Sequence, residues 1–294
     1  MGAFNAGGGF KGIGPVKGPL VLVRRGERRR EEVELALASL IAERETSGVR
    51  DRFVTLCARV RDDFSWVARA CRWLSDHGRQ PIVRLRVPPD DEVMAAFKAS
   101  GAIAVIELAH VQTTIQRLLL GPGCAPVGEL LLAAQRLRAA GVPVVARVGP
   151  LLPGVHGGCP EGTRAFLSLL SHLRVADVQD VEVLTGHLDK ARLEGLSACL
   201  GGEQQMEMAR AFGITAGELL MSQGGRPRLT GPRSMAPMVA SVFGMEVRAA
   251  IMRAGLVPRM AGEIASRQTE RLARTYAPIH RRLLAEHLDD WALA

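Results

Sequence analysis

Four stretches of this chain alternate apolar and charged residues in a way that aims chemistry at one place. In QPIVRLRV (80–87), Val83, Leu85 and Val87 form one face, while Ile82, Arg84 and Arg86 form the other. RFVTLCAR (52–59) splits Phe53, Thr55, Cys57 and Arg59 from Val54, Leu56 and Ala58. AIAVIELA (102–109) puts Glu107 with Ile103 and Val105, and VPVVARV (142–148) puts Arg147 with Val145. A strand turns alternate side chains to opposite faces. Four successive strands thus direct a polar group to the end of the face opposite their helices. Fully buried parallel strands read as nearly unbroken apolar runs, so these charges must be paired, hydrated or bound to a ligand. Two readings follow. Glu107 pairs with Arg84, Arg86 and Arg147 in an internal ion network, or Arg59, Arg84, Arg86 and Arg147 hold a carboxylate or phosphate with Glu107 as an acid/base candidate.

Weaker candidates lie beside these. His110, His156 and His187 follow strand ends, where a base or ligand could sit, though a solvated loop histidine explains each as well. Cys57 lies near arginines that favour a thiolate, but small buried cysteines are commoner than nucleophiles. Asp62 and Asp63 could bind a cation, or more simply cap the helix that opens at Phe64-Ser65-Trp66. Arg226, Arg228 and Arg233 among glycines could grip phosphates or nucleic acid. The five cysteines (Cys57, Cys71, Cys124, Cys159, Cys199) have no metal-ligand spacing, so no metal site is expected. Gly7-x-Gly9-x-x-Gly12 has the dinucleotide-binding spacing, but no strand precedes it and no helix follows it directly.

The elements that must position the charged strands follow from periodicity. Strands are expected at 19–25, 52–59, 80–87, 102–109, 142–148 and 180–186. Helices are expected at 27–45, 63–77, 89–99, 111–120, 126–140 and 160–173. This alternation predicts βαβ units and a parallel sheet with right-handed crossovers, as a partial (β/α) TIM-like barrel over 19–200. Residues 1–18, Gly-rich and basic, read as a flexible lead-in. After 203, helices at 203–212, 215–222, 234–254 and 259–288 without strand periodicity read as a helical C-terminal extension over 201–294. With 47% hydrophobic residues in 294, the chain can build a substantial core. A formal charge of +8 favours anionic partners, while 4% aromatics disfavours base stacking. The start lacks the apolar core of a signal peptide and no run spans a bilayer, so a cytoplasmic protein is expected.

The segment GCAPVGELLLAAQRLRAAGVPVVARVGPLLPGVHG (123–157) resembles a stretch of the radical S-adenosylmethionine superfamily, in its spore-photoproduct-lyase-like branch. LLLGPGCAP (118–126), AIAVIELAHVQTTIQRLL (102–119) and RFVTLCARVRDDFSWVARACRWLSDHGRQPIVRLR (52–86) are similar to its upstream segments in the same order. The resemblance covers about a third of the chain and implies a barrel fold, with S-adenosylmethionine as a possible ligand. Its chemistry needs a [4Fe–4S] cluster held by three thiolates of a CxxxCxxC loop. The corresponding NAGGGFKGIGPVKGPL (5–20) contains no cysteine, so no iron–sulfur cluster is expected. The family's motifs also give way to RVRDDF (59–64), RVP (86–88) and Glu107 in place of a serine. The resemblance therefore implies a pseudoenzyme that acts as a binding or assembly partner, through a protein partner or as a homo-oligomer joined by its C-terminal helices. A barrel binding an anionic small molecule, with non-radical catalysis, is the alternative. Nucleic-acid binding, after the lyases' DNA substrate, is a third.

Overall fold

A computed structural model describes residues 3–6, 10–13, 20–24, 33–46, 52–215 and 231–260. Its strands are β1 Ala3–Ala6, β2 Phe10–Ile13, β3 Leu20–Arg24, β4 Phe53–Ala58, β5 Gln80–Leu85, β6 Ile103–Leu108, β7 Val144–Leu151 and β8 Asp180–Thr185. Three short ones follow: β9 His187–Leu188, β10 Arg233–Ser234 and β11 Val257–Met260. The helices are α1 Val33–Thr46, α2 Phe64–Asp76, α3 Asp91–Ser100, α4 Thr113–Leu120, α5 Val127–Ala139, α6 Pro160–Val175, α7 Lys190–Ser197, α8 Gly202–Ala211 and α9 Pro237–Arg253.

The main sheet runs β1-β2-β3-β4-β5-β6-β7-β8-β11, and every pairing from β3 onward is parallel. From β3 to β8 its order is the chain order. With right-handed crossovers, such winding lays every helix on one face of the sheet. The core shows that sidedness. Val54, Leu56, Val83, Leu85, Ala104, Ile106, Val144 and Ala146 pack into one large cluster with buried residues of each of the nine described helices. Phe53, Ile82, Ile103, Val105 and Val145 form a second, small cluster from strand residues alone. The chain is thus an α/β protein with helices on one face of a parallel sheet and a separate inner face.

Local signals explain the helix boundaries. Asp90 accepts from the Val93 amide at 2.9 Å to cap α3, and Gly101, in the left-handed region at φ 63°, ends it. Pro160 opens α6, where its missing N–H costs nothing.

Three expectations are corrected. Residues 1–18 carry β1 and β2, which pair antiparallel and extend the sheet from β3. A parallel edge strand exposes unpaired backbone groups, and the hairpin satisfies those of β3. Gly12 therefore sits in a strand and opens no helix. The region after 203 is not strand-free: β11 adds parallel to β8, and Phe243, Val247, Ala250, Ile251 and Leu256 belong to the large core cluster. Residues 233–260 thus add a strand to the sheet and a helix to its helical layer. The expected 259–288 helix begins inside β11 and otherwise lies outside the described residues, as does the 215–222 helix apart from Thr215.

Candidate functional site

In-register parallel pairing lines up residues of like parity across the inner face. Cys57 lies opposite Arg84, and Arg84 opposite Val105. One step toward the strand ends, Glu107 lies opposite Arg147, Arg147 opposite Glu182, and Glu182 opposite Arg259. Charge alternates in sign along this row.

The side chains close on one another. Arg84 donates Nε to Glu107 Oε1 at 2.6 Å and reaches the same oxygen through Nη2. Arg86 donates Nε to Glu107 Oε2 at 2.5 Å and Nη1 to the Leu120 carbonyl. Arg147 makes a bidentate pair with Glu182, at 2.6 and 2.9 Å, and its Nη1 lies 3.8 Å from Glu107. Arg259 holds Asp180 at 2.8 Å through Nε and 2.7 Å through Nη2. Glu107 and Glu182 are almost wholly buried, while the Arg84, Arg86 and Arg147 side chains keep 20, 21 and 17% exposure. Among the described residues, four guanidinium groups thus share the face with three carboxylates, a surplus of one positive charge there.

Burial pushes the Glu107 carboxyl upward, but Arg84, Arg86 and Arg147 outweigh it and hold its pKa at about 2. Arg84 shows the reciprocal balance: burial lowers its pKa, the Glu107 charge outweighs that, and the net shift is upward. A carboxylate so held, with both oxygens occupied by arginines, suits fixing those arginines rather than moving protons. Burial raises the Cys57 thiol despite nearby Arg84, which removes the basis for a thiolate nucleophile.

The arrangement therefore gathers Arg84, Arg86, Glu107 and Arg147, and adds Glu182, Asp180 and Arg259, which sequence reasoning missed. The alternation Asp180-Val181-Glu182-Val183 carried the signal for two of these; Arg259 was hidden in a stretch read as helix. Arg59 falls past the end of β4 and is exposed, so it stands apart from the row. Its amide instead donates to Asp63 Oδ2 at 2.8 Å, and Asp63 also accepts from the Val60 amide and the Trp66 indole. Asp63 thus pins the β4 exit loop and makes no side-chain cap to α2, contrary to expectation.

The rim loops are held by a buried polar network. Gln116 Oε1 accepts from the Ala109 and His110 amides, and Nε2 donates to the Ala125 carbonyl at 2.8 Å. His156 Nδ1 accepts from the Leu152 amide at 3.0 Å, so Nε2 carries the proton and donates to the Ala109 carbonyl at 2.6 Å. His110 Nδ1 accepts from the Gln112 amide at 3.0 Å, which leaves its Nε2–H buried without an acceptor among the described residues. Burial lowers both imidazoles to about 4, so both are neutral near pH 7. Neither is the solvated loop histidine the sequence suggested; His187 is exposed, but it lies in the short strand β9 rather than in a loop.

Arg233 lies in β10 and donates to the Gly213 carbonyl at 3.0 Å, while Arg226 and Arg228 lie outside the described residues. Among the described residues no three His, Cys, Asp or Glu side chains gather as a metal site, and Cys57, Cys71 and Cys124 are separately buried in the core. Among the described residues no helix is long and apolar enough to cross a membrane.

Fold and site together define an α/β protein with a singly wound parallel sheet and an ion-paired inner face. No protein-family model matches the chain, and no curated protein matches it.

Proposed function

We propose that the chain is a degenerate radical-SAM-type partial (β/α) barrel that binds an anionic small molecule on its inner face and carries out no radical chemistry. The observation that supports the reading is the surplus guanidinium among the buried and largely buried charges of the described residues, Arg84, Arg86, Arg147 and Arg259 against Glu107, Glu182 and Asp180. An uncompensated charge held away from water is costly, and an anion offsets that cost. The bonds that Arg84 and Arg86 make leave Arg84 Nη1 and Arg86 Nη2 without an acceptor among the described residues. Two guanidinium edges fixed by one carboxylate suit a carboxylate or phosphate. Their place toward the C-terminal ends of the strands is where ligands of parallel α/β folds gather. The carboxylate of S-adenosylmethionine is one anion of this kind.

Calorimetric titration of the full chain with inorganic phosphate, a short dicarboxylate and S-adenosylmethionine tests the proposal. Saturable binding of one of them, weakened about tenfold or more in Arg86→Gln, is the expected result. No saturable binding of any probe, or binding indifferent to Arg86→Gln, overturns it.

A further inference from the structure

Helix α9 is apolar on two opposite sides. Phe243, Val247, Ala250 and Ile251 are buried in the core. At 100° per residue, Met238, Val242, Met245, Ala249 and Met252 fall within about 80° of arc on the other side. Met238 is 79% exposed, Met245 61%, and Val242 and Met252 46% each. Ser241 and Arg248 flank this stripe on one edge, Glu246 and Arg253 on the other. A helix apolar on both sides is expected between two packed layers, and among the described residues only one layer is present.

We propose that this stripe is an interface with a second copy of the chain, in which α9 packs antiparallel on its two-fold mate about an axis beside Met245. The proposal is independent of anion binding. Its first support is the spacing, 4-3-4-3, which is the a/d seam of helices packed side by side. Its second is self-complementarity. The order Met-Val-Met-Ala-Met, reversed, sets Met238 against Met252, Met245 against itself, and Val242 against the smaller Ala249. A two-fold interface requires this reciprocity, residue i meeting j while j meets i. Methionine side chains adapt to such a surface with little strain. The seam spans about 21 Å of helix and falls short of the roughly 800 Å² per partner of a standard interface, which predicts a weak, concentration-dependent dimer.

Sedimentation equilibrium and disulfide trapping on the full chain test this, in a Cys199→Ser background because Cys199 is exposed. A monomer–dimer equilibrium is expected, weakened about tenfold or more by Met245→Glu, with thermal unfolding of the variant's monomer unchanged. On mild oxidation Met245→Cys should cross-link to itself. Met238→Cys alone should not, but should cross-link when mixed with Met252→Cys. A chain monomeric up to its solubility limit overturns the proposal, as it would if residues 261–294 or a different protein covered the stripe. A dimer indifferent to Met245→Glu, or self-linking at position 238 as readily as at 245, overturns it too.

Discussion

Glu107 shows what a single residue does here. Its folded-state pKa of about 2 lies below the ordinary 4.5. The stability this contributes is fully present above the ordinary value and is lost as pH falls through about 4.5 to 2, amounting to about 3 kcal/mol. Glu107→Gln should therefore lower unfolding free energy near pH 7 by about 3–5 kcal/mol, since it also strands buried guanidinium groups. In chemical denaturation at a series of pH values, the gap between wild type and variant should narrow below pH 4.5. The rim histidines act in a different window. Burial depresses His110 and His156 to about 4 against 6.5, so the folded state resists protonation and stability falls as pH drops from 6.5 to 4. Their NMR Cε1–H resonances should stay flat through pH 6.5 and move only near 4, and a normal titration of either would contradict the buried placement. The parity of Arg84, Arg86, Glu107 and Arg147 was legible in the sequence because strand geometry alone fixes it. The burial of the histidines was not, because it depends on Gln116 and on a loop that folds back through Leu152.

At the scale of elements, the alternation of strand and helix from 52 to 185 was readable from periodicity and turn residues. What it could not show is how the exit loop of β7 packs. Residues 152–157 are buried although they form a loop, and α8 closes over them. Gly154 marks that contact. At φ +81° it lies in the left-handed region, and an added Cβ would stand 2.2 Å from the Gln204 carbonyl oxygen of α8. Backbone cannot yield as a side-chain tip can. Gly154→Ala should thus cost about 2 kcal/mol or more and raise amide exchange selectively across α8. Gly101 is the control: it is also left-handed, φ +63°, but a Cβ added there would meet nothing within 4 Å. Gly101→Ala should cost only the conformational penalty, about 1 kcal/mol, and leave α8 exchange unchanged. β11 escaped notice because VPRM is short and alternates only once; its pairing to β8 is a tertiary fact.

Across the whole molecule, sequential strand order puts the helices on one face and leaves the other to be filled from the strands themselves. The small apolar cluster of Phe53, Ile82, Ile103, Val105 and Val145 fills the N-terminal half of that face, and the ion pairs fill the half beyond it. Ion pairs are a poor choice for stability alone. Desolvation offsets most of the attraction, so an apolar pair of similar volume is often as stable, whereas one partner left alone is strongly destabilising. The pair Arg147–Glu182, bidentate and nearly buried, separates these effects. Glu182→Met alone should lower unfolding free energy by about 3–5 kcal/mol, because Arg147 then faces the surplus of positive charge without its main partner. Arg147→Met with Glu182→Met should restore most of that loss. Equilibrium unfolding in denaturant reads both, with the slope unchanged if the folded state stays as compact. Restored stability together with weaker anion binding would mean the row is kept for what it holds. If the double variant stays as unstable as the single, the charges are instead required for the strands to pair, and the inner face is structural.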